Sequence, residues 1–286
     1  GKFECDIGPV EAAGAGAIHA GHSGAIFNPD RNNEGQFVEI LSADRALIYT
    51  FSYRPDGSGP AWLFTDAKIV GNSLVSEVTL RPTGGKFGED FDPADVDFQD
   101  WGGMSMILPG CALDEPEGIT VYSGNAQQGY EPLVTRAVRL GEVMGCKVST
   151  APSANAGLSG SYFDPFRNGE GVIVEWLPDG RVLVVMFTYD PDGEQMWIYA
   201  DGPSNGNSAV MNALYPAAST SWGSGFDNSE IQLEPWGTIT MTWDDCNNVS
   251  FEYDSIVPGY GSAERSYARL STLQGEACAL PPPAAR

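Results

Sequence analysis

Two stretches of the chain are copies of one another, and no other sequence feature limits its fold as strongly. Gly24 to Gly57 reads GAIFNPDRNNEGQFVEILSADRALIYTFSYRPDG, and Gly160 to Gly193 reads GSYFDPFRNGEGVIVEWLPDGRVLVVMFTYDPDG; 17 of the 34 positions are identical without a gap. One residue is then dropped and the match resumes. Trp62 falls on Trp197, Phe91 to Gly102 on Phe226 to Gly237, Cys111 on Cys246, Tyr130 on Tyr260, Arg139 on Arg269, and Cys146 on Cys278. Self-similarity over such a period means one folding unit built twice. The expected organisation is a Gly/Ala-rich arm (1–22), a first module (23–148), a linker (149–157), a second module (158–280) and a Pro-rich tail (281–286).

Each module reads as strand after strand. Val172, Val174 and Trp176 alternate with Ile173, Glu175 and Leu177. Arg181 to Tyr189 (RVLVVMFTY) is rich in β-branched and aromatic residues, and Gln195 to Ala200 continues the pattern. Ile239 to Trp243 and Val249 to Tyr253 flank a DDCNN turn, a hairpin signal. Turn residues recur every 8–12 positions and no long helical period intervenes. Short connections favour antiparallel neighbours. The expected fold is all-β: two homologous antiparallel meander barrels or closed sandwiches in tandem, about eight strands each, with Arg139 and Arg269 on the last strand of each.

This architecture resembles the calycin-type barrels, the lipocalin and avidin kind. Those commonly open with a Gly-x-Trp strand and set an Arg from the last strand across it. The openings here are Gly24-Ala25-Ile26-Phe27 and Gly160-Ser161-Tyr162-Phe163, without the Trp. The motif G-x-x-F-[ND]-P-x-R-N-x-E-G, followed by F-[ST]-Y-x-P-D-G and a Trp, is similar to tandem modules of uncharacterised secreted bacterial proteins. That resemblance spans nearly the whole chain and implies secretion; it carries no activity with it.

Charge excludes several partners. The net charge is −23 at pH 7, with pI ≈ 4.2. Such a surface repels nucleic-acid phosphates and anionic lipid. No apolar run approaches the roughly 20 residues that cross a bilayer as a helix. With 42% hydrophobic residues the chain is too apolar to be a disordered acidic segment. Starting at Gly1 without an apolar leader, it reads as a processed chain.

None of the five cysteines forms a CxxC pair, and His19 and His22 are distant from them in sequence. Disulfides in an oxidising compartment are therefore expected, not zinc. The duplication pairs Cys111 with Cys146 and Cys246 with Cys278, closing loops of about 30 residues worth roughly 3–4 kcal/mol each. Cys5 has no counterpart and is a candidate for an intermolecular disulfide.

No recurring Ser, His or Lys has a catalytic partner. Glu39 and Glu175 lie mid-strand between apolar neighbours, which gives either raised-pKa carboxylates for acid–base work or, as the favoured reading, buried ion pairs with Arg139 or Arg269 that lock each barrel. Trp62, Trp197, Trp101 and Trp236 recur and are expected in the core. Trp176 and Trp222 occur only in the second copy and are expected to be exposed, as ligand contacts. The Pro-Asp-Gly turns and the acidic run from Glu89 to Asp100 offer oxygen ligands for Ca²⁺, although ordinary turn chemistry explains them. Otherwise no cofactor is expected. His19 and His22, three apart, can hold a metal, but the favoured reading places them in a flexible linker.

The expected function is a non-enzymatic, secreted structural subunit of an extracellular filament, appendage or surface layer, joined to its neighbours through the terminal arm and tail. The alternative is a barrel that binds a glycan or a small apolar ligand. A hydrolase would require two carboxyl groups about 5–10 Å apart in an open cleft.

Overall fold

The computed structural model describes residues 17–114, 116–144, 146, 152–275 and 277–280. The expected fold is present: two closed, eight-stranded, antiparallel barrels in tandem. The first is formed by β1 (Gly24–Asn28), β2 (Arg31–Ile40), β3 (Arg45–Tyr53), β4 (Pro60–Val70), β5 (Ser73–Thr83), β6 (Asp97–Ile107), β7 (Gly118–Tyr122) and β8 (Leu133–Arg139). The second is formed by β9 (Gly160–Phe163), β10 (Gly171–Trp176), β11 (Arg181–Tyr189), β12 (Gln195–Asn205), β13 (Ser208–Ala218), β14 (Gln232–Trp243), β15 (Asn248–Ser255) and β16 (Ser262–Arg269). Each strand pairs with the next in sequence, and the last closes on the first, Arg139 opposite Ile26 and Arg269 opposite Tyr162.

Closure leaves no sheet edge, so a neighbouring chain cannot add a strand. Each copy begins on a glycine for a steric reason. Gly24 and Gly160 have φ of +128° and +136°, and a side chain there would press on the Gly141 and Ser271 carbonyls.

Period-2 alternation divides the side chains. In the second barrel Val172, Val174, Trp176, Val182, Val184 and Met186 point into the lumen. Ile173, Leu183, Val185 and Phe187, on the same strands, point outward yet are equally buried. What covers them is the other barrel. The outer faces of β2–β4 and β10–β12 pack together, Phe37, Leu47, Tyr49 and Trp62 against Ile173, Phe187 and Trp197. Each lumen is filled by side chains.

Both expected disulfides are formed, Cys111–Cys146 and Cys246–Cys278, with Cα separations of 5.6 and 5.9 Å. Cys5 and the tail 281–286 lie outside the described residues. The inner edge of the arm requires correction: Ile18 and His22 are buried and cap the first barrel, so residues 18–22 belong to that module and not to a flexible linker.

Candidate functional site

The duplicated motif converges on the joint between the barrels, and the two copies act on each other reciprocally. Arg31 binds Glu34 through two nitrogens, at 2.6 and 3.1 Å, and stacks 3.9 Å above Phe226 of the second module. Arg167 binds Glu170 and stacks 4.2 Å above Phe91 of the first module. Ser52 also donates to Glu34 Oε2, and Thr188 donates to Glu170 Oε2, each at 2.6 Å. The Trp62 indole donates to the Thr188 carbonyl at 3.0 Å, and the Trp197 indole to that of Ser52 at 3.1 Å. The recurring R-N-x-E-G and F-[ST]-Y signatures, with the tryptophan that follows, are thus joint chemistry. Low exposure makes these pairs more costly to break than surface ion pairs, because removing one partner leaves a buried charge unpaired.

The joint also exchanges plugs. Trp222, from the β13–β14 loop of the second module, enters the first barrel among Trp101, Tyr122 and Tyr130, with ring centroids 5.1–5.5 Å away. Its indole donates to Glu131 O and its amide to Arg54 O. Phe87, at the equivalent position of the first module, enters the second barrel among Trp236, Tyr253 and Tyr260, and its amide donates to Asp190 O. The expectation that Trp176 and Trp222 are exposed ligand contacts is therefore wrong. Trp176 is 1% exposed inside the second lumen and Trp222 is 4% exposed inside the first. The other recurring tryptophans are core residues, as expected.

Glu39 and Glu175 sit in the same joint, but not as expected. They line one void of about 10 Å³, room for a single water at most. Glu39 Oε2 accepts from Ser161 and Ser271 of the opposite barrel, at 2.9 and 2.6 Å. Burial pushes the Glu39 carboxyl up to about 7, against the pull of those hydroxyls and of Arg269. Burial pushes Glu175 up to about 8, with Arg139 opposing and Glu39 adding repulsion. Each glutamate thus faces the arginine of the other module, and no contact ion pair forms. Arg139 is bound instead to the carbonyls of Cys111, Ser23 and His22, and Arg269 to those of Gly157 and Ser159. The contact ion pairs expected between Glu39 or Glu175 and Arg139 or Arg269 occur instead at Arg31–Glu34 and Arg167–Glu170, whose R-x-x-E spacing recurs in both copies. A substrate has no access to the Glu39–Glu175 void.

The acidic turns follow turn chemistry. Asp190 accepts from the Asp192 and Glu194 amides, Asp56 accepts from Ser58, and Asp92 caps a short turn at Ala94. Among the described residues, the one cluster of metal-ligating side chains is His19, His22 and Cys111. No helix among the described residues is long and apolar enough to cross a membrane. Two of the surface hollows adjoin the joint motifs or plugs. A crevice of about 190 Å³ at the joint is lined by Tyr49, Trp62, Phe64, Phe98 and Phe187, and an open polar hollow of about 960 Å³ lies beside the Phe87 plug.

Compared with known protein families, curated proteins and solved structures, the chain matches none.

Proposed function

We propose that the chain is a secreted, non-enzymatic structural subunit that assembles with copies of itself outside the cell. One observation carries the reading: an exposed apolar face that only one module has. On β4–β8 of the first barrel, Val70, Ile107, Ile119 and Val134 are exposed beside Val75, whose counterpart Val210 is the one apolar residue of the face that the second barrel also exposes. Ile107 lies opposite Ile119, and Val121 opposite Val134. At the same register in the second barrel Thr242 lies opposite Ser250, and Glu252 opposite Glu264. Contiguous apolar surface marks an interaction site. If this face meets a different segment of a neighbouring copy, the contact is heterologous, the kind that builds open chains when the rotation does not close.

The occupant we assign is the arm of a neighbouring copy. Residues 1–16 supply Phe3, Ile7 and Val10, with Cys5 among them. With closed barrels the arm docks on a face and not at a sheet edge. Filled lumens and a joint in which the motif residues bind one another suit a rigid building block, and two disulfides suit an oxidising compartment. The test is analytical ultracentrifugation and negative-stain imaging of native chain beside Ile119→Ser/Val134→Glu, which introduces the second module's residues. Polymer, and a dimer through Cys5 on non-reducing gels, are expected for the native chain only. Monodisperse native monomer with a free Cys5 thiol defeats the proposal.

A second reading, glycan binding, is supported by the 960 Å³ hollow. Phe166, 86% exposed, stands there with Tyr253, Arg167, Arg265 and Asp164. Glycan-array signal lost in Phe166→Ala supports it, and equal signal in both proteins dismisses it.

A further inference from the structure

The His19–His22–Cys111 cluster belongs to one module only. At the equivalent places the second module has Asn155 and Leu158, and Leu158 is fully buried in its core. His22 is buried as deeply, at 1% exposure, yet its Nε2 has no hydrogen-bond partner. A buried unpaired polar atom is costly where a leucine would serve.

The other ring nitrogen is arranged as in metal-ligating histidines. His22 Nδ1 lies 3.2 Å from both the amide and the carbonyl of His19; in the tautomer that donates to the carbonyl, the Nε2 lone pair is free for a metal. The ligand atoms of His19, His22 and Cys111 lie within 4.8 Å of one another. Tetrahedral zinc with bonds of about 2.0–2.3 Å sets its ligands roughly 3.3–3.8 Å apart, so little movement is required. Arg139 holds the two ligand-bearing loops together by donating to both the Cys111 and His22 carbonyls, at 2.9 and 3.2 Å. Cys146, bonded to Cys111 and outside that 4.8 Å cluster, is the nearest fourth ligand once the disulfide opens.

We propose that the Cys111–Cys146 disulfide and a zinc-class ion are alternative states of one site, the ion being held by Cys111, Cys146, His19 and His22 when the cysteines are thiols. A phosphine reductant opens the site: disulfide, phosphine and water give two thiols and the phosphine oxide. Binding the ion then releases the two thiol protons to solvent, leaving two thiolates and two neutral imidazoles around it. The Cys246–Cys278 pair, with no histidine beside it, is the internal control.

The experiment titrates Co²⁺, then Zn²⁺, into full-length chain, oxidised or reduced with the phosphine, beside His22→Leu and His19→Asn. Both substitutions install the second module's residues, so the barrel tolerates them. The expected result is one tetrahedral Co²⁺ per reduced wild-type chain, with thiolate charge-transfer bands, displaced by Zn²⁺. Affinity should fall more than about 100-fold in His22→Leu and in the oxidised chain. Near-UV circular dichroism covers the case in which reduction loosens the fold, since Zn²⁺ should restore the wild-type signal and not that of His22→Leu. Every other pattern overturns the proposal, including no uptake, equal uptake by His22→Leu, or equal uptake by the oxidised chain.

Discussion

Replacing Glu39 and Glu175 together by glutamine should make the protein more stable, and only above a defined pH. Both carboxyls ionise near 4.5 in the unfolded chain and near 7 and 8 in the folded one. Between those values the folded state binds more protons than the unfolded state, so wild-type stability falls as pH rises from about 4.5 to about 8 and levels off above. At 1.36 kcal/mol per pH unit, the shifts correspond to about 3 kcal/mol for Glu39 and about 5 kcal/mol for Glu175. Their mutual repulsion enters both figures, so the pair as a unit is assigned roughly 5 kcal/mol and not the sum. Glutamine keeps the shape and the oxygen that accepts from Ser161 and Ser271, and it carries no charge. Urea unfolding at a series of pH values reads the difference as a shift in midpoint at unchanged slope. Glu39→Gln/Glu175→Gln should match wild type to within about 1 kcal/mol at pH 4.5 and exceed it by about 3–5 kcal/mol at pH 8.5. Parallel pH profiles for the two proteins, or a less stable variant at pH 8.5, would refute the reasoning.

Other perturbations should separate the joint from the barrels. Trp222→Ala removes a second-module side chain from the first barrel's core and should cost roughly 3–5 kcal/mol by urea unfolding, as should Phe87→Ala in the opposite direction. Arg31→Ala leaves Glu34 buried and unpaired and should cost about 3–5 kcal/mol, whereas removing both partners should cost less, read in the same unfolding series as a double-mutant cycle. Cys246→Ser/Cys278→Ser should lower stability by about 2–4 kcal/mol in thermal unfolding, with the fold retained by circular dichroism.

Much of the architecture was legible in the sequence, and for a physical reason. Alternation and turn residues are local, so they placed β10 and β11, the β14–β15 hairpin and a last strand at Arg139 and Arg269. Duplication supplied the disulfide pairing because equivalent cysteines must obey the same geometry in both copies. Contacts between the modules are not local, and there the sequence reading failed. Trp222 was misjudged because a tryptophan unique to one copy suggests a surface contact, whereas its position matches Phe87, and both are plugs. A usable signal existed in RVLVVMFTY: an unbroken apolar strand is covered on both faces, and only the other barrel could cover the outer one. The mid-strand setting of Glu39 and Glu175 left their burial open; both are buried, and their neighbours come from the opposite module. His19 and His22 are remote from Cys111 in the chain, and barrel closure between β1 and β8 brings them together.

The central claim is that residues at equivalent positions of the two copies weld the barrels into one body. Differential scanning calorimetry of the oxidised full-length chain tests it most directly. The account predicts a single transition whose calorimetric and van't Hoff enthalpies agree, displaced as a whole by either Trp222→Ala or Phe87→Ala. Two resolved transitions, with each substitution moving only one of them, would contradict it.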